Sequence, residues 1–585
     1  MTKVLLSIRS SQINYPTGVR LNALRATLNY DWNPRMMPSI KRETVVVLSL
    51  TIIFFFLATW NLGHDEIPST GWTVSGNARV IVDLASVVDV SEISFMVKTG
   101  DLNLEISTGE PDSWEKAAEE SIEGYNRWRR VSVDRRTRFL RIDFDNSHGE
   151  ILEFVVGGPD GRVEDPILWG EDGSSETFGA LTDEQDLVQY PPTYMSESVF
   201  DEVYYVRAAE EYLSGRNPYE DTHPPLGKLI IAAGVSVLGN NPFGWRIAGV
   251  FFASAMIPVI YLLGNEIIGS RLGGLFSASL LGFDFMRFTM GKIATTDVFL
   301  VFFSLASMLF FYRYMRSVLD TGWGAPLRPL FTTVILSSLG FATKWTAAFG
   351  LASQFFILGL IRIGYVGKEK SKGTNGGINR NVLLVLAGTA AVFLFVYFLT
   401  YIPYMSLGHT LRDVFERQIS MFGYHSGLEA NHGFSSPWWS WPLLSRPVWL
   451  YVSELGGELV STMVAMGNPV VWWVGLIVMV NEIMGIAKGA APTRVFLVTI
   501  YAFQLLPYAL ISRSLFLYHF FPNVPILCLA VSGQMVKNWR ENRRKTLTYL
   551  LLVIAAFVIY YPVISGSPVH NSLRSLLRIL QSWVF

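Results

Sequence analysis

Two adjacent carboxylates, Asp201 and Glu202, open a helix-like stretch, and His223 follows about twenty residues later in a His-Pro-Pro-Leu-Gly-Lys run. Arg246 comes next, after Asn241-Pro242-Phe243-Gly244-Trp245, at the mouth of a long apolar segment. Each has a plain structural use. Acids favour helix N-termini, and two prolines after a histidine can simply make a turn. Position raises the group above those uses. Carboxylates, an imidazole and a guanidinium gather where polar chain meets an apolar span, and ionisable groups at that depth are costly and usually functional. Such a set could take a proton from a hydroxyl while cations steady a developing anion.

A second constellation lies further along. Residues 418–425 read Gln-Ile-Ser-Met-Phe-Gly-Tyr-His, ending in His425, and Asn431-His432-Gly433-Phe434 leads to Trp438, Trp439 and Trp441. Tryptophans near a headgroup layer can form an aromatic belt. A belt needs neither His425 nor His432, and it does not need three tryptophans inside four residues. Aromatic faces with polar edges suit sugar rings, which present apolar C–H faces and hydroxyl rims. Thr343-Lys344-Trp345, Gly467-Asn468-Pro469, Arg513 and Tyr518-His519 interrupt other apolar runs. His425 and His432 are seven residues apart without acidic partners at useful intervals, so no zinc site is expected. A divalent ion at Asp201 or Glu202 stays open. No P-loop and no dinucleotide glycine pattern occurs, which argues against ATP or NAD chemistry. Nothing points to nucleic acid.

The elements that must hold these residues are membrane spans. Of 585 residues half are apolar, 14% are aromatic and only 16% are charged. Apolar runs near twenty residues, about the length that crosses the hydrocarbon core, explain this composition better than a soluble enzyme does. The first run covers Thr44–Trp60. Ten more are centred near Ile257, Leu275, Ser304, Leu336, Phe356, Val392, Ile477, Ala502, Ile526 and Ile554, giving about eleven transmembrane helices. Basic clusters set the orientation. Lys3, Arg9, Arg20, Arg25, Arg35, Lys41 and Arg42 precede the first span, and Arg313 and Arg316, Lys368, Lys370, Lys372 and Arg380, and Lys537 to Lys545 mark alternate later loops. With the N-terminus inside, all of these fall in the cytoplasm. Residues 62–240, 285–296, 405–466 and the neighbourhood of Arg513 then face outward. The start of the chain does not read as a signal peptide. Cys528 is the single cysteine, so no intrachain disulfide forms.

The expected layout is a cytoplasmic arm (1–43), a first span (44–61), a soluble insert (62–160) and a linker (161–197). A transmembrane core with the Asp-Glu pair (198–404), a His/Trp-rich outer loop (405–466), late spans (467–566) and an outer tail (567–585) complete it. Residues 62–200 hold 28 of the 48 acidic residues and only 11 basic ones. Short alternating segments, Ile93–Val97, Leu102–Ile106, Leu140–Phe144 and Ile151–Val156, predict a small antiparallel β-sandwich with one wet face, jelly-roll-like and suited either to carbohydrate or to a spacer role.

At these residues the chain resembles the protein O-mannosyltransferase family. Phe200-Asp201-Glu202, His223–Lys228, Gly244-Trp245-Arg246, Thr343-Lys344-Trp345, Tyr424–Trp449, Gly467-Asn468-Pro469 and Arg513 to His519 follow its pattern in order. The likeness covers roughly residues 198–535 and implies a GT-C type membrane fold. Two features depart from it. Gly291-Lys292-Ile293-Ala294-Thr295-Thr296-Asp297 stands where Ser-Arg commonly precedes Ile-Ala, so a forked phosphate contact would be lost there. The soluble repeat module of eukaryotic members is absent between Tyr404 and Gly467, which points to a prokaryotic member.

The resemblance implies a polyprenyl- or dolichyl-phosphate mannose donor, Ser/Thr segments of proteins as acceptor, and inversion by a single displacement in the cell membrane, with the site on the outer side. Asp201 is then the expected base, and Glu202 the residue that orients acceptor or base. Arg246, Lys292, Lys344 and Arg513 are the expected phosphate ligands, because leaving-group charge must be neutralised as it develops. Lysines at span ends can also simply reach for water. His223, His425, His432, Trp438, Trp439 and Trp441 are candidates for sugar and acceptor contacts, and Asp284 and Asp297 for bracing, with pairing to Lys292 as an equal account. Membrane lipid is an expected partner, and a dimer stays open. Transfer to a lipid or cell-envelope glycan is the alternative. A transporter would need internal symmetry that the sequence lacks.

Overall fold

The computed structural model describes residues 42–159, 161–170, 176–366, 380–428, 432–487, 489 and 491–585. The basic residues Lys3 to Lys41, the loop lysines Lys368, Lys370 and Lys372, and Asn431 lie outside the described residues. The chain divides after Val45 into two units, and everything below concerns the larger one.

In chain order the elements are helix α1 (Arg42–Thr59), strands β1 (Trp72–Glu110), β2 (Ser113–Gly158), β3 (Gly161–Arg162) and β4 (Ile167–Trp169), then α2 (Glu202–Leu213), α3 (Leu226–Leu238), α4 (Pro242–Ile268), α5 (Arg271–Gly282), α6 (Phe285–Gly291) and α7 (Asp297–Thr321). Next come α8 (Arg328–Phe341), α9 (Ala347–Arg362), α10 (Arg380–Leu399), α11 (Ile402–Ser406) and α12 (Leu411–Gly427). The last part holds β5 (Val448–Glu454), β6 (Leu459–Ala465), α13 (Pro469–Ile486), α14 (Pro492–Leu505), α15 (Val524–Glu541), α16 (Arg543–Ser565), β7 (Pro568–His570) and α17 (Asn571–Leu576).

Among the described residues eight helices are long and apolar enough to cross a membrane: α1, α4, α7, α10, α13, α14 continued to Leu510, α15 begun at Leu517, and α16. The protein is therefore a multi-pass membrane protein. The three other expected spans, near Leu275, Leu336 and Phe356, are the helices α5, α8 and α9 of 12, 14 and 16 residues. At 1.5 Å per residue α5 covers about 18 Å, short of the hydrocarbon thickness. Burial sorts the helices. α7 is buried along most of its length, whereas α1 and α10 turn Ile52, Ile53 and Phe56, and Leu383, Leu384 and Phe395, outward. An apolar outward face is what lipid requires.

Two motifs that look chemical in the sequence turn out to start helices. Asn241 accepts a hydrogen bond from the Gly244 N–H at 2.7 Å and Asn468 from that of Val470 at 3.1 Å, each with proline next in the chain. Asn caps an orphan donor, and proline at the first helical position lacks one. Asn468 also donates its amide hydrogens to the Phe283 and Val553 carbonyls, which ties α13 to α16 and to the turn before α6.

The insert is antiparallel, as its alternation predicts. Ile142 pairs with both Val80 and Ile106, and Ile93 with both Val131 and Val156. All four strands belong to one hydrogen-bonded sheet, ordered β3-β2-β1-β4. Register shifts and left-handed residues such as Ala85, Asn126 and Asp134 bend the two long ribbons, so one sheet encloses a core of Val82, Phe95, Leu104, Leu140 and Phe154. A second sheet, ordered β5-β6-β7, joins the late loop to the C-terminal tail.

Gly467 leaves no room for a side chain. A Cβ there would lie 1.9 Å from the Trp472 ring, while one at Gly359 within α9 would meet open space. Gly467→Ala is expected to lower stability by about 1–3 kcal/mol, and Gly359→Ala to raise it by about 0.4–1 kcal/mol. Melting temperatures of the detergent-purified proteins should move in opposite directions.

Candidate active site

The Asp-Glu pair sits on a turn that separates its two members. Phe200 has φ 50°, a left-handed conformation that costs a bulky residue about 1–3 kcal/mol and persists only where its surroundings enforce it. Glu202 supplies part of that enforcement. Its Oε2 accepts the Val199 N–H at 2.8 Å, and its own N–H donates to the Val199 carbonyl at 3.0 Å. The remaining acceptor capacity of Glu202 goes to the Ala294 N–H at 2.7 Å and to Arg246, whose Nε and Nη2 reach Oε1 and Oε2 at 2.7 Å each.

Arg246 is fully enclosed. Beyond Glu202 it donates to the carbonyls of Leu62 at 3.0 Å, Tyr194 at 2.8 Å and Glu197 at 2.8 Å. Both side chains are 0% exposed. This corrects two expectations: Arg246 has no donor left for a lipid phosphate, and Glu202 no oxygen left for acceptor or divalent ion. Lys292 is corrected as well. Its Nζ donates to the carbonyls of Ala58, Trp60 and Asn61 at 3.0, 2.9 and 3.2 Å, so it caps the end of α1 and pairs with no carboxylate. Helices end with unsatisfied carbonyls, and a buried cation there answers both needs. Asp284, also fully buried, accepts from the Trp472 indole at 2.8 Å rather than from Lys292.

Asp201 differs from its neighbour in every respect. Its carboxylate is half-buried and makes no hydrogen bond or ion pair among the described residues. Burial pushes it up to about 7, Lys344 opposes that rise, and Asp297 and Glu220 add to it. Lys344 in turn holds Asp297 at 2.9 Å and lies 5.5 Å from the Tyr518 ring centre. Only one of its three donors has a described partner. The charge of Lys344 also acts on His223 and His425, which places it among all three.

The imidazoles form a relay of fixed orientation. His223 Nδ1 meets Glu220 Oε1 at 2.9 Å, and Glu220 takes Lys228 at 2.6 Å on its other oxygen. Lys228 and His223 together hold the Glu220 carboxyl well below its usual range against the cost of burial. His425 donates Nε2–H to the Thr222 carbonyl at 2.8 Å and accepts from Arg513 Nη1 on Nδ1 at 3.0 Å. Burial, together with the neighbouring His223 and Arg513, pushes His425 down to about 4, so it stays neutral and keeps that acceptor. Arg513 walls a cavity of about 740 Å³ with Ser426, Ser435, Ser436, Trp438 and Tyr508.

The three tryptophans separate. Trp438 walls the cavity, Trp439 is 60% exposed, and Trp441 is fully buried with its N–H on Ser436 and its ring stacked on His519. Trp441 therefore supports the site and offers no face to a sugar. His432 lies on an exposed turn with its ring against Phe516. Sequence reading missed Glu220, whose signal is an acid three residues before His223, and Tyr518, which was seen only as part of a motif. Among the described residues one carboxylate group could share an ion, Glu153, Asp183 and Glu184, and it lies in the insert and the linker.

Removing one partner of a buried ion pair costs about 3–5 kcal/mol. Glu202→Gln should therefore lower the melting temperature and the yield of folded protein, while Asp201→Asn should leave both near the parent values. Thermal unfolding of the two variants side by side reads the difference.

Comparison with known proteins places this geometry. A family model described as dolichyl-phosphate-mannose-protein mannosyltransferase matches residues 190–402, and one described as the C-terminal four-transmembrane region of protein-O-mannosyltransferase matches residues 410–583. The insert precedes both. The chain is 25% identical over 455 residues to the polyprenol-phosphate-mannose–protein mannosyltransferase of Mycobacterium tuberculosis, covering 66% of this chain and 86% of that protein. To the protein of the same name from Mycolicibacterium smegmatis it is 25% identical over 468 residues, covering 67% and 89%. The S. cerevisiae protein O-mannosyltransferase complex solved with its sugar donor superposes with a TM-score of 0.55 at 13% identity, over 68% of this chain and 90% of that one, which shows a common fold. Matched in two consecutive regions that hold the Asp-Glu turn, the imidazole relay and Arg513, the chain belongs to the protein O-mannosyltransferase family.

Proposed function

We propose that this protein transfers mannose from a polyprenyl- or dolichyl-phosphate donor to Ser/Thr hydroxyls of proteins, with Asp201 as the base. One observation carries the assignment of the base: among the described residues Asp201 is the carboxylate of the pair without a partner, and the charge of a lysine with donors to spare acts on it. The acceptor Oγ attacks the anomeric carbon, the bond from that carbon to the phosphate oxygen breaks, and its electrons leave with the phosphate. The hydroxyl proton passes to Asp201, which releases it to water. One base suffices for a single displacement with inversion, and no covalent intermediate forms.

Leaving-group charge needs cations already in place, since preorganised charge stabilises the transition state without reorganising as it forms. Lys344 and Arg513 fill that role. Arg513 is oriented by a neutral His425 and Lys344 by Asp297. Orientation matters because a guanidinium recognises phosphate through a planar fork, which it loses if it swings. Trp438, at the wall of the Arg513 cavity, offers a ring face to the sugar. The site faces the extracytoplasmic side in the orientation that the basic loops favour.

Membranes holding the protein, supplied with polyprenyl-phosphate mannose and a Ser/Thr-rich peptide, test this directly. Proton removal by a positioned base contributes about 10²–10⁴-fold, so Asp201→Asn should reduce transfer by that factor. Equal rates would remove Asp201 from the base role, and transfer to lipid alone would favour a lipid or envelope-glycan acceptor. A base titrating near 7 works only when ionised. kcat/KM for the peptide should fall tenfold per pH unit below about pH 7 and level off above it, which a pH–rate profile reads.

A further inference from the structure

A second cavity, of about 600 Å³, opens where the insert meets the late outer loop, away from the Asp201 turn. Its wall combines the Arg127–Arg130 segment of β2, five residues of β5, and Arg574 of α17. Donors there outnumber acceptors. Arg130 is matched by Glu92 at 2.7 and 2.9 Å. Glu197 is occupied by the Tyr451 hydroxyl at 2.8 Å and the Trp128 backbone N–H at 3.0 Å. That leaves Glu454 as the one further carboxylate of the wall among the described residues, against Arg127, Arg129 and Arg574.

Those three guanidiniums are under-used. The Arg127 side chain makes no hydrogen bond or close ion pair among the described residues, though its charge acts on Glu197; Arg129 donates through Nε to the Glu123 carbonyl, and the buried Nε of Arg574 has no acceptor among the described residues. Trp128, 6% exposed, keeps an indole N–H with no partner. The half-buried Arg127 and Arg129 side chains on the cavity wall, with few acceptors of their own, point to a ligand rich in acceptors. Guanidiniums select carboxylates through forked pairs.

Two further features favour a polypeptide over a lipid or a free anion. β5 is an edge strand, bonded in the sheet to β6 alone among the described residues, with its Glu454 carbonyl taking Arg130 at 3.4 Å, and an extended chain can add to such an edge. The cavity also neighbours the one that holds Arg513. Trp449 of its wall packs edge-to-face on Phe434 at 6.1 Å, and the next residues, Ser435 to Trp438, wall the cavity that holds Arg513. A chain lying along β5 would thereby sit beside the cavity that holds Arg513.

Given a protein acceptor, we propose that this arginine-lined cavity binds a carboxylate-bearing, extended segment of the acceptor polypeptide flanking the Ser/Thr that receives the sugar. The full-length protein in membranes, with polyprenyl-phosphate mannose, is assayed on two peptides that share one Ser/Thr core. One carries an Asp/Glu-rich flank and the other a Ser/Gln flank. The expected result is a KM about tenfold lower for the acidic peptide, with the two values converging in Arg127→Gln/Arg129→Gln. Arg127→Lys/Arg129→Lys, which keeps both charges and removes the forks, should narrow the gap in part and guards against misfolding of the first double variant. Equal KM values in the parent protein, or a gap that survives both double variants, would overturn the proposal. So would an arginine dependence that appears only with anionic vesicles and not with the acidic flank, since that assigns the cavity to lipid headgroups. Transfer to neither peptide would instead bring down the protein-acceptor reading, and this cavity's role with it.

Discussion

A guanidinium with no exposed surface must find an acceptor for every N–H, because each one left over carries its full desolvation cost. Arg246 meets that demand by drawing three separate parts of the chain onto the start of α4. Glu202 comes from the Asp-Glu turn, Leu62 from the end of the first span, and Tyr194 and Glu197 from the linker. The bond that Glu202 makes to the Ala294 N–H then adds the turn before α7. With these five points fixed, Phe200 is held in its left-handed conformation and Asp201 is set half-free beside Lys344. The carboxylate proposed as the base is positioned by its neighbour's ion pair.

The same logic runs through the rest of the polar layer. Lys292 ends α1 by taking three carbonyls, and Asp284 anchors α13 through Trp472 and Asn468. Charges that would be expensive in an apolar bundle are each given a complete set of partners, which makes them rigid and chemically silent. The groups proposed to react have an incomplete set. Among the described residues Asp201 has no partner, Lys344 has one, and Arg513 has His425 on a single nitrogen. The arginine cavity beside the insert shows the same signature, with Trp128 and Arg574 donors unmatched.

Much was legible in the amino-acid order. Apolar runs gave eight of the eleven expected spans because lipid demands them, alternation gave the antiparallel insert, and motif order gave the family. Asp201, Lys344, His223, His425, Arg513 and Trp438 were named from residue type and place, and the fold gathers them around one lysine or along one cavity wall. Glu202, Arg246, Lys292 and Trp441 were named on the same grounds and proved to be supports. Nothing local distinguishes the two sets, since Asp201 and Glu202 are adjacent and both acidic.

Sequence by itself thus determined which residues lie at the polar boundary of the bundle, because hydropathy and chain order are local properties. Tertiary structure alone decided which of them are free to react. A side chain is silenced by partners from distant segments, such as Leu62 and Tyr194 for Arg246 or Ala58 for Lys292, and no spacing along the chain encodes that meeting.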